Sequence, residues 1–119
     1  MATVNYSLQD AWVGEALYTW TPLTTTNADG QPAQYQGAGD RVMQITGTFG
    51  AGGTVLVQGS CDGTNWFGLN KPNSTAISLT AAGLVEILEN CPYIRPFVSA
   101  GDGTTSITAI LAIRRNERG

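Results

Sequence analysis

Hydrophobic and polar positions alternate through most of the chain after residue 40, and this alternation is the clearest structural signal in the sequence. Over residues 41–49, Met43, Ile45, Gly47 and Phe49 fall on one face and Gln44, Thr46 and Thr48 on the other, the period-two pattern of a half-buried strand. Residues 54–60 repeat it, with Val55 and Val57 opposite Leu56 and Gln58. Over 93–99, Ile94, Pro96 and Val98 share a face; Pro96 lacks an N–H, so this strand is expected at a sheet edge or bulged there. Residues 104–114 alternate most cleanly, with Ile107, Ala109, Leu111 and Ile113 facing one way and Ser106, Thr108 and Ile110 the other. Residues 15–20, 64–69, 76–79 and a short piece at 33–36 complete the expected strands. Residues 84–88 fit a strand bounded by Gly83 and Pro92, and Leu84, Ile87 and Leu88 also fit one helical turn; the short length favours the strand.

Glycine-rich turns separate these segments, at 50–53, 62–63, 80–83 and 101–103, and 24–39 reads as a long loop. Asp62-Gly63 is a favoured pair for a tight hairpin, because both positions accept positive φ. About eight short strands at regular spacing predict an all-β domain, a sandwich or barrel. Residues 1–13 read as an N-terminal arm, 14–113 as the β domain and 114–119 as a polar C-terminal tail.

Composition changes this picture in one respect. At 119 residues the chain suits a single domain with its own core, yet only 13% of it is charged, about half the usual share of about 25%. Hydroxyls, amides and glycine replace the charges. Such a surface is covered at little desolvation cost, which suits a protein that packs against something. The net charge of −3, with Arg41, Lys71 and Arg95 scattered, argues against nucleic-acid binding. No apolar run has the length of a membrane span, and residues 1–10 lack the pattern of a signal peptide, so synthesis in a cytoplasm is expected. On that reading Cys61 and Cys91 are free, small, buried apolar residues; in a secreted chain they would be candidates to pair.

Candidate chemistry is sparse. The sequence has no histidine, hence no usual general base and no usual zinc ligand. No serine sits in a G-x-S-x-G elbow, the glycines at 50–53 are not followed by Lys-Ser or Lys-Thr, and Asp62 and Asp102 lie in D-G turns without calcium-loop spacing. Glu86 and Glu89 are expected to be solvated. The reading is of a protein without catalysis, cofactor or metal. Trp66, beside the Asp62-Gly63 turn, is expected to pack on the hairpin or core, with direct ligand contact as the competing role.

The stretch 60–66, S-C-D-G-T-N-W, is similar to S-x-D-G-x-x-W hairpins of carbohydrate-binding and discoidin-like modules, over those few residues only. A wider match runs through T-F-G-A-G-G-T-V-L-V-Q-G-S-C-D-G-T-N-W (48–66), L-T-A-A-G-L-V-E-I-L-E-N (79–90), Y-I-R-P (93–96) and G-D-G-T-T-S-I-T (101–108). These segments resemble the capsid decoration, or cement, proteins of tailed bacteriophages; the first 47 residues do not contribute. The resemblance implies an antiparallel, jelly-roll-like β-sandwich. It also implies a role on the outer capsid surface of the virion, where the protein, as a homo-oligomer (dimer or trimer), clamps neighbouring copies of a major capsid protein. A carbohydrate-binding module, or a tail or head-fibre component of the virion, are the alternative readings. Contact residues are expected in the arm and among outer aromatics (Tyr6, Trp12, Val13, Tyr18, Trp20), with Tyr18 and Trp20 equally readable as core. Arg114, Arg115 and Arg118 are either a solvated tail or an ionic contact with an acidic capsid face, and Arg95 either an interface or an internal ion-pair residue.

Overall fold

The computed structural model describes residues 3–9, 15–34, 40–89 and 91–114. Among them are nine strands: β1 (Tyr6–Gln9), β2 (Glu15–Leu23), β3 (Asp40–Thr48), β4 (Thr54–Ser60), β5 (Phe67–Gly68), β6 (Ser78–Leu79), β7 (Gly83–Glu86), β8 (Tyr93–Ala100) and β9 (Ser106–Arg114). One sheet has the order β1-β2-β9-β3-β7. In the other, β4 is central, with β8 along one edge and the short β5 and β6 at different points along its length. All strand pairings are antiparallel.

The order follows a nested plan. Strand β2 pairs with β9, and β3 with β7. Residues 28–33 run beside β8 through bridges Asp29–Phe97 and Ala33–Ile94, and β4 pairs with β5 and β6. Early segments thus meet late ones in reverse order, the winding of a jelly roll, with 28–33 in place of a regular strand and β1 added outside β2. The fold is an all-β antiparallel sandwich, as the alternation predicts.

The expected inward faces are the buried ones. Ile107, Ala109, Leu111 and Ile113 of β9, Met43 and Ile45 of β3, Val55 and Val57 of β4, and Ile94 and Val98 of β8 are all in the core between the sheets. Each such large aliphatic side chain contributes about 1.5–3 kcal/mol by leaving water. Pro96 is buried with them, opposite Val57. Its carbonyl accepts from Gly30 N, so its nitrogen is turned toward the irregular 28–33 segment and no ladder bond to β4 is lost.

Four expectations change. Residues 6–9 lie within the expected arm, yet they form β1, in register with β2 from Tyr6↔Trp20 to Gln9↔Leu17. The tail expected from 114 begins inside a strand, since Arg114 ends β9 and pairs with Glu15 and Asp40. The expected tight hairpin at Asp62-Gly63 is instead a longer loop between β4 and β5, because side chains supply its bonds. Asp62 Oδ1 accepts from Thr64 N, Asn65 N and Ser60 Oγ, and Asp62 Oδ2 accepts from Asn65 Nδ2. Ser60 Oγ accepts in turn from Asp62 N and Gly63 N, and Gly63 takes φ 77°. Residues 83–86 are the strand rather than the helical turn, but β6 and β7 lie in different sheets, so 80–82 crosses the sandwich instead of closing a hairpin.

Candidate binding face

Because Ile94, Pro96 and Val98 fill the core, Tyr93, Arg95 and Phe97 project from the opposite, outer face of β8. The register sets Arg95 beside Gln58, Phe97 beside Leu56 and Tyr93 beside Ser60 on β4. Arg95 is held from several sides. Its Nε donates to Gln58 Oε1 at 2.9 Å, and its Nη1 pairs with Asp29 Oδ2 at 3.4 Å. Its Cζ lies 4.1 Å from the centroid of the Trp66 ring and 5.9 Å from that of Phe97. Burial pulls the guanidinium below its ordinary pKa, and the Asp29 carboxylate opposes that shift. The result is an aromatic–arginine–aromatic strip across the outer face of one sheet.

Trp66 therefore does not enter the core: it is half-buried at the end of the 61–66 loop, against Arg95. Asp62 and Gly63 hold the loop that presents it. The four bonds to its carboxylate keep Asp62 far below the usual carboxylate range, led by those from the Asn65 and Thr64 amides.

Tyr18 and Trp20 are core residues, 2% and 0% exposed, and are not available as surface contacts of the folded chain. Their polar ends are satisfied inside, with Tyr18 Oη donating to the Gln34 carbonyl at 2.7 Å and Trp20 Nε1 to the Gln31 carbonyl at 2.9 Å. Tyr6 packs edge-on to both, at centroid distances of 4.8 and 6.0 Å. Tyr6, Tyr18 and Trp20 thus form one aromatic cluster across β1 and β2. Trp12, Val13, Arg115 and Arg118 lie outside the described residues, and Arg114 is placed by its backbone at the end of β9.

At one end of the sandwich a pocket of about 420 Å³ is lined by Cys61, Asp62, Phe67, Leu69, Glu89 and Cys91, among others. Phe67 is 69% exposed at its rim. Burial pushes the Glu89 carboxyl up, but bonds from Asn70 N (2.8 Å) and Asn70 Nδ2 (2.7 Å), with the charge of Arg41, bring it below its ordinary value. Cys61 is exposed, against expectation, because β4 ends one residue before it; Cys91 is partly buried, and burial raises its thiol pKa. Among the described residues no group of three or more His, Cys, Asp or Glu is placed to hold a metal ion.

Arg95 and Phe97 were not singled out as a contact pair by sequence. The signal was present in the 93–99 alternation, which puts Tyr93, Arg95 and Phe97 opposite the core positions. What it lacked was Trp66, which reaches Arg95 only through the loop. Comparison of the chain with protein-family models, curated proteins and solved structures finds no match among any of them.

Proposed function

We propose that the protein is a non-catalytic structural component of a tailed-phage virion, which decorates the outer capsid surface and stabilises it by clamping neighbouring major capsid subunits. The observation that carries this reading is the Trp66–Arg95–Phe97 strip on the outer face of the four-stranded sheet. Tryptophan and arginine dominate interface hot spots, and Arg95 is already ordered by Gln58 and Asp29, so little side-chain entropy remains to be lost on docking. The low charge of the chain and the resemblance of residues 48–66, 79–90, 93–96 and 101–108 to decoration proteins support the same reading. Self-association as a dimer or trimer would multiply weak contacts on a repetitive lattice into firm attachment.

The test is co-sedimentation of the purified protein with mature capsids that lack it. The wild-type chain is expected to pellet with the capsids and to raise their resistance to heat. The Trp66→Ala and Arg95→Ala variants, shown to be folded, are expected to remain in the supernatant. A wild-type protein that never enters the particle overturns the proposal. Labelling within intact particles separates capsid decoration from a tail or head-fibre position.

The carbohydrate-binding alternative uses the same tryptophan. A sugar needs an open aromatic face, and the Arg95 guanidinium already covers one side of the Trp66 ring. Tryptophan fluorescence that responds to a glycan would favour this alternative over a capsid.

A further inference from the structure

The two cysteines are far apart in sequence, yet both line the pocket at the end of the sandwich. Their positions follow from the β4–β8 register. Ser60 pairs with Tyr93; Cys61 leaves β4 immediately after that rung, and Cys91 precedes β8 shortly before it. Continued past the strand end, that register would set Cys61 opposite Pro92, the immediate neighbour of Cys91, so the two cysteines lie diagonally across the same end of the sheet, and a disulfide bridges Cα atoms about 4.4–6.8 Å apart. Gly59 makes the room. A Cβ at Gly59 would stand 2.8 Å from Cys91 Sγ, so the thiol occupies space that any other residue would fill. Cys61 lies two residues further along the same strand direction and is exposed to solvent.

We infer that Cys61 and Cys91 are a redox-responsive pair that closes an intramolecular disulfide across the mouth of this pocket when a low-molecular-weight disulfide is available as oxidant. The exposed Cys61, as thiolate, attacks one sulfur of the oxidant and expels a thiolate, leaving a mixed disulfide. Cys91 then loses its proton to water and attacks Cys61 Sγ, expelling the second thiolate. Two protein thiols lose two electrons and two protons in total, and one oxidant molecule becomes two thiols. Burial around Cys91 disfavours its thiolate, which holds the second step back relative to an exposed thiol at the same place. The closed bond ties the 61–66 loop, which carries Trp66, to the segment before β8. It is independent of what the Trp66 face binds.

The experiment is incubation of the native, reduced protein with oxidised glutathione, read by intact mass after alkylation and by thermal unfolding. The expected product is a monomer two mass units lighter with no alkylatable thiol, and an unfolding midpoint raised by on the order of 10 °C. Cys61→Ser and Cys91→Ser variants are expected to keep the reduced protein's midpoint and to gain none on oxidation. Two alkylatable thiols after oxidation, a glutathione adduct on Cys61 that never resolves, or a dimer crosslinked through Cys61 would each overturn the inference. Gly59→Ala is a second check: it is expected to slow ring closure while leaving the glutathione adduct on Cys61 able to form.

Discussion

The guanidinium of Arg95 stacks 4.1 Å from the ring centroid of Trp66, although the two residues come from different elements, one from a strand and the other from the end of a loop. A cation over an indole at a partly exposed site is worth about 0.5–1 kcal/mol. Trp66→Ala and Arg95→Ala are each expected to cost about 1 kcal/mol of stability, and the double variant less than their sum. A double-mutant cycle by urea unfolding measures this; strictly additive costs would show that the stacking carries no energy. On the function proposed above, attachment to capsids should fall far more than stability does.

Gly30 lies under Trp20. A Cβ there would stand 2.8 Å from Pro96 Cδ and from Cδ1 and Nε1 of Trp20, two rigid groups with no room to yield. Gly30→Ala should therefore destabilise the domain by about 1–3 kcal/mol through overpacking. Trp20→Ala should cost about 3–5 kcal/mol, because it empties a fully buried site and strands the Gln31 carbonyl. Equilibrium unfolding ranks the two; a neutral Gly30→Ala would mean that the 28–33 segment shifts freely against β8.

Tyr6 belongs to the folded domain even though it falls in the first residues of the chain. Its edge-on contact with Tyr18 and the β1–β2 register predict a loss of about 1–3 kcal/mol for Tyr6→Ala in the isolated protein. A residue used only for docking would leave the melting temperature unchanged, so thermal unfolding without any partner decides between the two roles.

Acid should weaken the domain through its turn aspartates. Asp102 is held down to about 2 by bonds from Thr104 and from Ala51 N, and Asp62 lower still by Asn65, Thr64 and Ser60. Both are depressed relative to an unfolded value of 3.8, so the native state favours their charged forms. Their contribution is complete above that value and is lost as pH falls through the folded values, a window from just below 4 down to about 2 and beyond. Melting temperatures should decline over that window. The double variant Asp62→Asn, Asp102→Asn should start lower at neutral pH and decline less. An equal decline in both proteins would assign acid sensitivity to other groups.

Much of this molecule was legible in its sequence for a local reason. Alternation identifies the buried face of a strand without reference to its partners, so Ile107, Ala109, Leu111 and Ile113, Met43 and Ile45, Val55 and Val57, and Ile94, Pro96 and Val98 were all assignable to the core. Trp20 and Tyr18 were not, because an aromatic residue has the same sequence signature in a core as at an interface; only the Gln31 and Gln34 carbonyls that meet their polar ends decide it. The Asp62-Gly63 turn was legible as a turn but not in length, since Ser60 and Asp62 side chains take the bonds a hairpin ladder would have made.

What the sequence determined by itself is the all-β class, the inward face of each long strand and the absence of histidine chemistry, because these depend on residue type and period alone. Tertiary structure decided the nested pairing of early with late strands, the meeting of Trp66 with Arg95 and the shared pocket of Cys61 and Cys91. Each of these joins segments distant along the chain, and their contact depends on which sheet each strand enters, a choice set by the packing of the whole core rather than by any local pattern.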